Sequence, residues 1–134
     1  MTIAVAYWCI LIAVILPYVW TTIAKSGGKG YNNKDPRGWT ARQENPRTRY
    51  ANGAQLNSFE SNPVFIGSVL MAQFAHLPEQ TIALCSIIYV IARVLHGVFY
   101  ISAQHALRSL VWFVGIGAVF YLIVQSALHI TAAA

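Results

Sequence analysis

The side chains able to do chemistry are few and recur at helical spacing. Asn57 and Glu60 lie in one hydrophobic segment, Arg93, His96 and Tyr100 in another, and Arg108 near the start of a third. A carboxylate or guanidinium set deep in hydrocarbon is costly without a partner, and an intramembrane ionisable residue marks a functional site by default. Gly53, Asn57 and Glu60 are spaced i, i+4, i+7 and share one helical stripe; Tyr89, Arg93, His96 and Tyr100 make a second. Arg93 and Arg108 suit an anionic ligand. A tyrosine hydroxyl or a guanidinium could also hold a thiolate ionised, by hydrogen bond or by charge. The competing reading is structural, with a Glu60–Arg93 ion pair beside Asn57 simply locking two helices together. His96, Tyr100 and Arg108 continue the polar line and favour a cavity where a charged molecule meets a hydrophobic one.

The elements that position these residues follow from composition. The chain has 134 residues, 57% hydrophobic and only 10% charged, against about 25% charged in a soluble domain. Long apolar stretches approach the roughly 20 residues that cross a bilayer. This predicts an all-α membrane protein with one transmembrane domain over 1–134 and four spans, near 3–24, 50–75, 80–101 and 106–129. A long loop, 25–48, follows the first. The N-terminal segment lacks a basic leader region and a small-residue cleavage site, so it reads as a retained span.

Pro17 falls inside the first span, where it frees the carbonyl of Ala13. Pro63 divides the second span into a polar first half and an apolar second half, and frees the carbonyl of Phe59. The loop is rich in turn chemistry: Gly27-Gly28, Gly30, Asn32-Asn33, Asp35-Pro36 and Asn45-Pro46. Its Gly27-Gly28-Lys29-Gly30 run lacks the length and the Lys-Ser/Thr ending of a phosphate-binding loop. Short turns at 76–79 and 102–105 predict antiparallel neighbours. At 1.5 Å per residue Glu60 lies roughly 15 Å, and Arg93 roughly 12 Å, from the same membrane face. The two are therefore expected to pair, within one subunit or between subunits.

Seven of the nine basic residues fall between Lys25 and Arg49, and the opposite ends of the spans have none. Under the positive-inside rule the loop is cytoplasmic and both termini lie outside. The same topology accounts for the pI near 9.5 without nucleic acid. Cys9 and Cys85 have neither metal-ligand nor disulfide-framework spacing. The histidines at 76, 96, 105 and 129 are isolated, so no metal site is expected. Tyr7, Trp8, Tyr18, Trp20, Tyr50, Trp112 and Tyr121 read as an interfacial aromatic belt. Gly115 and Gly117 permit close helix contact without forming a GxxxG motif.

The chain resembles the membrane-associated proteins in eicosanoid and glutathione metabolism (MAPEG), which include the microsomal glutathione transferases and leukotriene C4 synthase. The residues that carry the likeness are Ala54-Gln55-Leu56-Asn57-Ser58-Phe59-Glu60 followed by Pro63 and Phe65, and Ala92-Arg93 followed by Tyr100 and Arg108. A long loop after the first of four spans adds to it. The resemblance, to bacterial-type members, implies a left-handed antiparallel four-helix bundle in the inner membrane, assembled as a homotrimer. It implies glutathione as co-substrate, held between subunits by Asn57, Glu60, Arg93, His96 and Tyr100. Arg108, with Tyr100, is the implied catalytic pair, stabilising the thiolate. The implied activity is glutathione transfer to a lipophilic electrophile drawn from the lipid, with peroxidase activity as a companion.

One departure stands out. Active relatives carry an arginine four residues before the asparagine, where this chain has Gly53. That motivates an alternative, a non-enzymatic or differently liganded MAPEG-like membrane protein. A transporter is disfavoured, since four spans show no internal repeat.

Overall fold

The computed structural model describes residues 1–133. Five helices follow in chain order: α1 (Ala4–Gly27), α2 (Pro36–Ala41), α3 (Pro46–Phe74), α4 (Glu79–Ile101) and α5 (His105–Ala133). Three of them are long and apolar enough to cross a membrane, namely Ala4–Gly27, Glu79–Ile101 and His105–Ala132. The protein is thus an all-α, multi-span integral membrane protein. α3 is as long as α5, but Arg47, Arg49 and the polar run from Asn52 to Asn62 leave it less apolar than these three.

Capping explains where the loop elements start. Asn45 accepts a hydrogen bond from Arg47 N (3.0 Å), and Pro46 occupies the first helical position. α3 therefore begins four residues before the start expected at Tyr50. Asp35 accepts from Gly38 N (2.9 Å) ahead of Pro36 and starts α2 within the segment expected to be loop. Both Asx-Pro pairs are N-cap and N1 signatures rather than plain turns. Trp39 of α2 is buried, its indole N–H donating to Lys29 O at 3.0 Å. Tyr31 meets it edge-on, and Lys25 lies 4.7 Å above the Tyr31 ring. The basic loop is accordingly a folded cap.

Hydrogen bonds at both ends set the helix order. At the loop end the Thr48 hydroxyl donates to Ala24 O (3.0 Å), and Asn45 donates to Gly27 O. At the other end Ile3 N donates to Glu79 Oε2 (3.0 Å) and Tyr7 Oη to Gln73 Oε1 (2.8 Å). α1 and α3 are antiparallel, as are α3 and α4. The α3–α4 and α4–α5 turns close with the backbone bonds Leu77 N to Ala72 O (3.0 Å) and Gln104 N to Phe99 O (2.9 Å). His76 and Ala103 take the left-handed position in these turns, at φ 55° and 58°. That is the Schellman ending, here built without glycine.

The core lies between α1, α3, α4 and α5. Phe65 and Tyr89 stack with centroids 3.9 Å apart, among Ala13, Val69, Ile82, Val119 and Leu122. Cys9 and Cys85 are buried in this core as free thiols. Small residues permit close approach: a Cβ at Gly115 would sit 3.4 Å from Ala92 Cβ, whereas one at Gly117 would meet nothing. Buried Ser58, Ser86 and Ser126 return their hydroxyls to carbonyls four residues back in their own helices, so these three hydroxyls are not left unpaired in the apolar core. Trp20 departs from the expected belt. It is 5% exposed and packs its indole onto Gly97 of α4.

Pro17 does free the carbonyl of Ala13, and a side chain on another helix completes it. Asn62 Nδ2 donates to Ala13 O at 2.8 Å, in the buried α1–α3 interface. The Asn62 carbonyl oxygen lies 3.5 Å from the Tyr89 hydroxyl. One amide thus links the proline defect of α1 to the core of α4.

Candidate functional site

Arg93 is 3% exposed, in the middle of α4. Its Nη2 donates to Asn57 Oδ1 at 2.8 Å and lies 3.5 Å from Ser58 Oγ. The expected Glu60–Arg93 pair does not form within the chain. Among the described residues the one ion pair is the exposed Arg42–Asp35 contact, at 3.5 Å. Helix geometry gives the reason. The buried stripe of α3 runs through Ala51, Ala54, Ser58, Asn62 and Phe65. Ser58 and Glu60 are separated by about 200° around the axis. Asn57 and Ser58 therefore turn toward α4, and Glu60 is exposed on the outer face.

A pocket of about 330 Å³ opens beside this buried pair, lined by Asn57, His96, Tyr100, Arg108, Ser109, Trp112 and Phe113. α3 supplies Asn57, α4 supplies His96 and Tyr100, and α5 supplies the rest. His96 is 3% exposed and sits edge-on to Tyr100, with ring centroids 5.6 Å apart. The Arg108 guanidinium lies 4.5 Å above the Tyr100 ring, a cation–π arrangement that holds the charge in the pocket lining. Tyr89, the fourth member of the expected α4 stripe, belongs instead to the hydrophobic core.

Two buried nitrogens near this pocket have no protein partner, Arg93 Nε and His96 Nδ1. Buried polar atoms are nearly always satisfied, so each such atom calls for an explanation, and a ligand is one. The donor set is cationic at Arg93 and Arg108 and neutral at Asn57, Ser109 and Tyr100. Those groups match an anionic, amide-bearing molecule. The indole and phenyl of Trp112 and Phe113 give the same pocket an apolar wall.

Five of the six singled-out polar residues thus come together, and Glu60 stands apart. Ser58, Ser109, Trp112 and Phe113 were not anticipated here, and Trp112 was assigned to the belt. Their signal was present: Trp112 follows Arg108 by four residues and shares its helix face. Gly53 is explained by its neighbour, since a Cβ there would lie 2.6 Å from the Tyr100 hydroxyl oxygen. No curated protein matches the chain. The family model for MAPEG matches residues 5–128, nearly the whole length, and with it the apolar helices and the polar α3–α4 interface find their place: the chain belongs to the MAPEG family.

Proposed function

We propose that the protein is a membrane glutathione transferase that conjugates glutathione to a lipophilic electrophile and reduces lipid hydroperoxides as a companion activity. The observation that carries this reading is the pocket that joins Arg108, Tyr100, His96 and Asn57 to an aromatic wall, above a buried Arg93 with an unpaired Nε. At about 330 Å³ it falls at the lower end of small-ligand pockets, as suits a site that a neighbouring subunit completes. Membership of the MAPEG family supports the same chemistry.

On this reading Arg93 and Asn57 act as one unit. Asn57 fixes the guanidinium through Nη2, and the remaining donors hold a glutathione carboxylate. His96 and Tyr100 line the peptide portion. Arg108 stands beside the thiol and lowers the free energy of the thiolate by its charge. The thiolate sulfur attacks the electrophilic carbon, a carbon–sulfur bond forms, and the leaving group departs with its electron pair. In the peroxidase reaction the thiolate attacks the terminal hydroperoxide oxygen, the O–O bond breaks, and the alkoxide leaves and is protonated to the alcohol. A second glutathione then converts the glutathione sulfenic acid to disulfide and water.

α3 acts as the fourth span, with its polar half facing the other helices and its neighbours. Glu60 is then an exposed carboxylate at membrane depth and needs a partner from outside its own chain. A homotrimer supplies one, and Glu60 joins the glutathione site across the subunit boundary. The basic loop faces the cytoplasm of a bacterial cell and both termini lie outside.

The test is saturable glutathione binding in detergent, with a thiolate absorbance that disappears in Arg108→Ala. A folded Arg108→Ala protein that retains turnover, or wild-type protein that does not saturate at millimolar glutathione, overturns the reading. The same experiment decides for the second reading, a MAPEG protein without thiol chemistry. That reading is favoured by Gly53, which leaves the site one arginine short.

A further inference from the structure

Among the described residues, the end of the bundle opposite the basic loop carries one carboxylate side chain, Glu79, and no lysine or arginine. There the N-terminal turns of α1 meet the α3–α4 turn around a cavity of about 690 Å³, larger than the pocket at Arg108. Two hydrogen bonds brace it. Ile3 N donates to Glu79 Oε2 and the Tyr7 hydroxyl donates to Gln73 Oε1, so α1 is tied to both sides of the turn. Leu70, Phe74 and Ile82 form its apolar walls, and Phe74 is 83% exposed at the rim.

The polar inventory of this cavity is specific. Backbone N–H from Ile3 occupies one carboxylate oxygen, and a carboxylate can accept about four hydrogen bonds. Neither a cationic side chain nor the Met1 amino group lies within ion-pair distance of Glu79 among the described residues. Tyr7 and Gln73 are neutral and bonded to each other, and His76 is the other titratable group in the lining. The N-terminal ends of α1 and α4 favour the carboxylate where it stands. With no side-chain cation beside that carboxylate, an anion would still meet net negative charge here. A protonated amine would find a carboxylate, and a hydrocarbon chain attached to it would find the wall of Leu70, Phe74 and Ile82.

We infer that this cavity is a second ligand site, for a protonated primary amine carried on a hydrocarbon chain. A lipid ethanolamine headgroup and a free long-chain amine share that chemistry. The site lies at the far end of the helices from Arg108 and does not rest on the glutathione reading.

The experiment titrates dodecylamine into the purified protein in a neutral detergent and follows thermal unfolding, with dodecanoate as the anionic control. Dodecylamine is expected to saturate and raise the midpoint, as any ligand selective for the native state does, while dodecanoate does not. Glu79→Gln keeps a carbonyl oxygen for Ile3 N–H and removes only the charge, so it should weaken dodecylamine binding about tenfold or more. Equal binding by wild type and Glu79→Gln, or equal binding of dodecanoate, overturns the inference. A photoactivatable dodecylamine provides a measurement independent of the variant's folding. Its label belongs on the segment from Leu70 to Ile82 or on Ile3 to Tyr7, and labelling confined elsewhere also overturns it. Repeating the titration in nanodiscs separates the sources. Competition by ethanolamine lipid, but not by glycerol lipid, assigns the site to the headgroup; saturation unaffected by either lipid assigns it to a free amine.

Discussion

The Tyr100 hydroxyl occupies the space that a side chain on Gly53 would need: an added Cβ would stand 2.6 Å from the oxygen and 2.7 Å from the ring carbon bearing it. The same ring carries the Arg108 guanidinium on its face. Gly53 therefore helps to seat both Tyr100 and Arg108. Gly53→Ala is expected to push Tyr100 into the pocket, at about 1 kcal/mol because the ring is only half-buried and can move. Its larger effect is on the site. Glutathione affinity should fall several-fold while the unfolding midpoint changes little, and calorimetry alongside thermal unfolding reads both. Unchanged affinity would show that the seat of Tyr100 does not matter to binding.

Asn57 and Glu60 are three residues apart in one motif and should behave differently. Asn57→Ala removes the carbonyl oxygen that holds the buried Arg93 Nη2, a hydrogen bond to a charged group worth about 1.5–3 kcal/mol. In the isolated subunit Glu60→Gln should be close to silent in thermal unfolding, because Glu60 is exposed and unpaired within the chain. In the homotrimer proposed above, Glu60→Gln should lower glutathione affinity. A stability loss for Glu60→Gln as large as that for Asn57→Ala would point to a direct pairing with Arg93.

Asn62 and Pro17 form a compensating pair, and a double-mutant cycle measures it. Asn62→Ala leaves Ala13 O without a donor in the buried interface, at about 1–3 kcal/mol. In a Pro17→Ala background, residue 17 regains its N–H and can bond the same carbonyl. The loss from Asn62→Ala should then shrink, giving a coupling on the order of 1 kcal/mol. Strict additivity of the two substitutions would deny the link.

Ala103 adopts φ 58° at the end of α4, a conformation that costs an L residue about 1–2 kcal/mol. Ala103→Gly should relieve part of that strain and stabilise the protein by about 0.5 kcal/mol, after the extra entropy of glycine in the unfolded chain is offset. The unfolding midpoint checks this, and glutathione turnover should be unaffected.

Composition and spacing alone carried the apolar helices, the short antiparallel turns, the free Ala13 carbonyl and the α4 residues His96 and Tyr100. Each of these depends on chemistry local to one segment: the length of an apolar stretch, the missing N–H of a proline, or the i, i+3, i+4 rows of one helix. The Asx-Pro starts of α2 and α3 were equally local and equally present in the sequence, though they also read as turns.

The rest required the packed chain. Which of Asn57, Ser58 and Glu60 meets Arg93 depends on the rotation of α3 about its own axis, and that rotation is set by the whole buried stripe from Ala51 to Phe65. Matched depth placed Glu60 and Arg93 at the same level but could not fix their azimuth. Trp20 has the composition of a belt residue, yet it is buried because α4 presents Gly97 opposite it. The partner for the Ala13 carbonyl comes from residue 62, and the reason for glycine at 53 comes from residue 100. The sequence determined what each helix would need; only the tertiary structure decided which helix would supply it, because interhelical contacts depend on rotation and register that no single segment encodes.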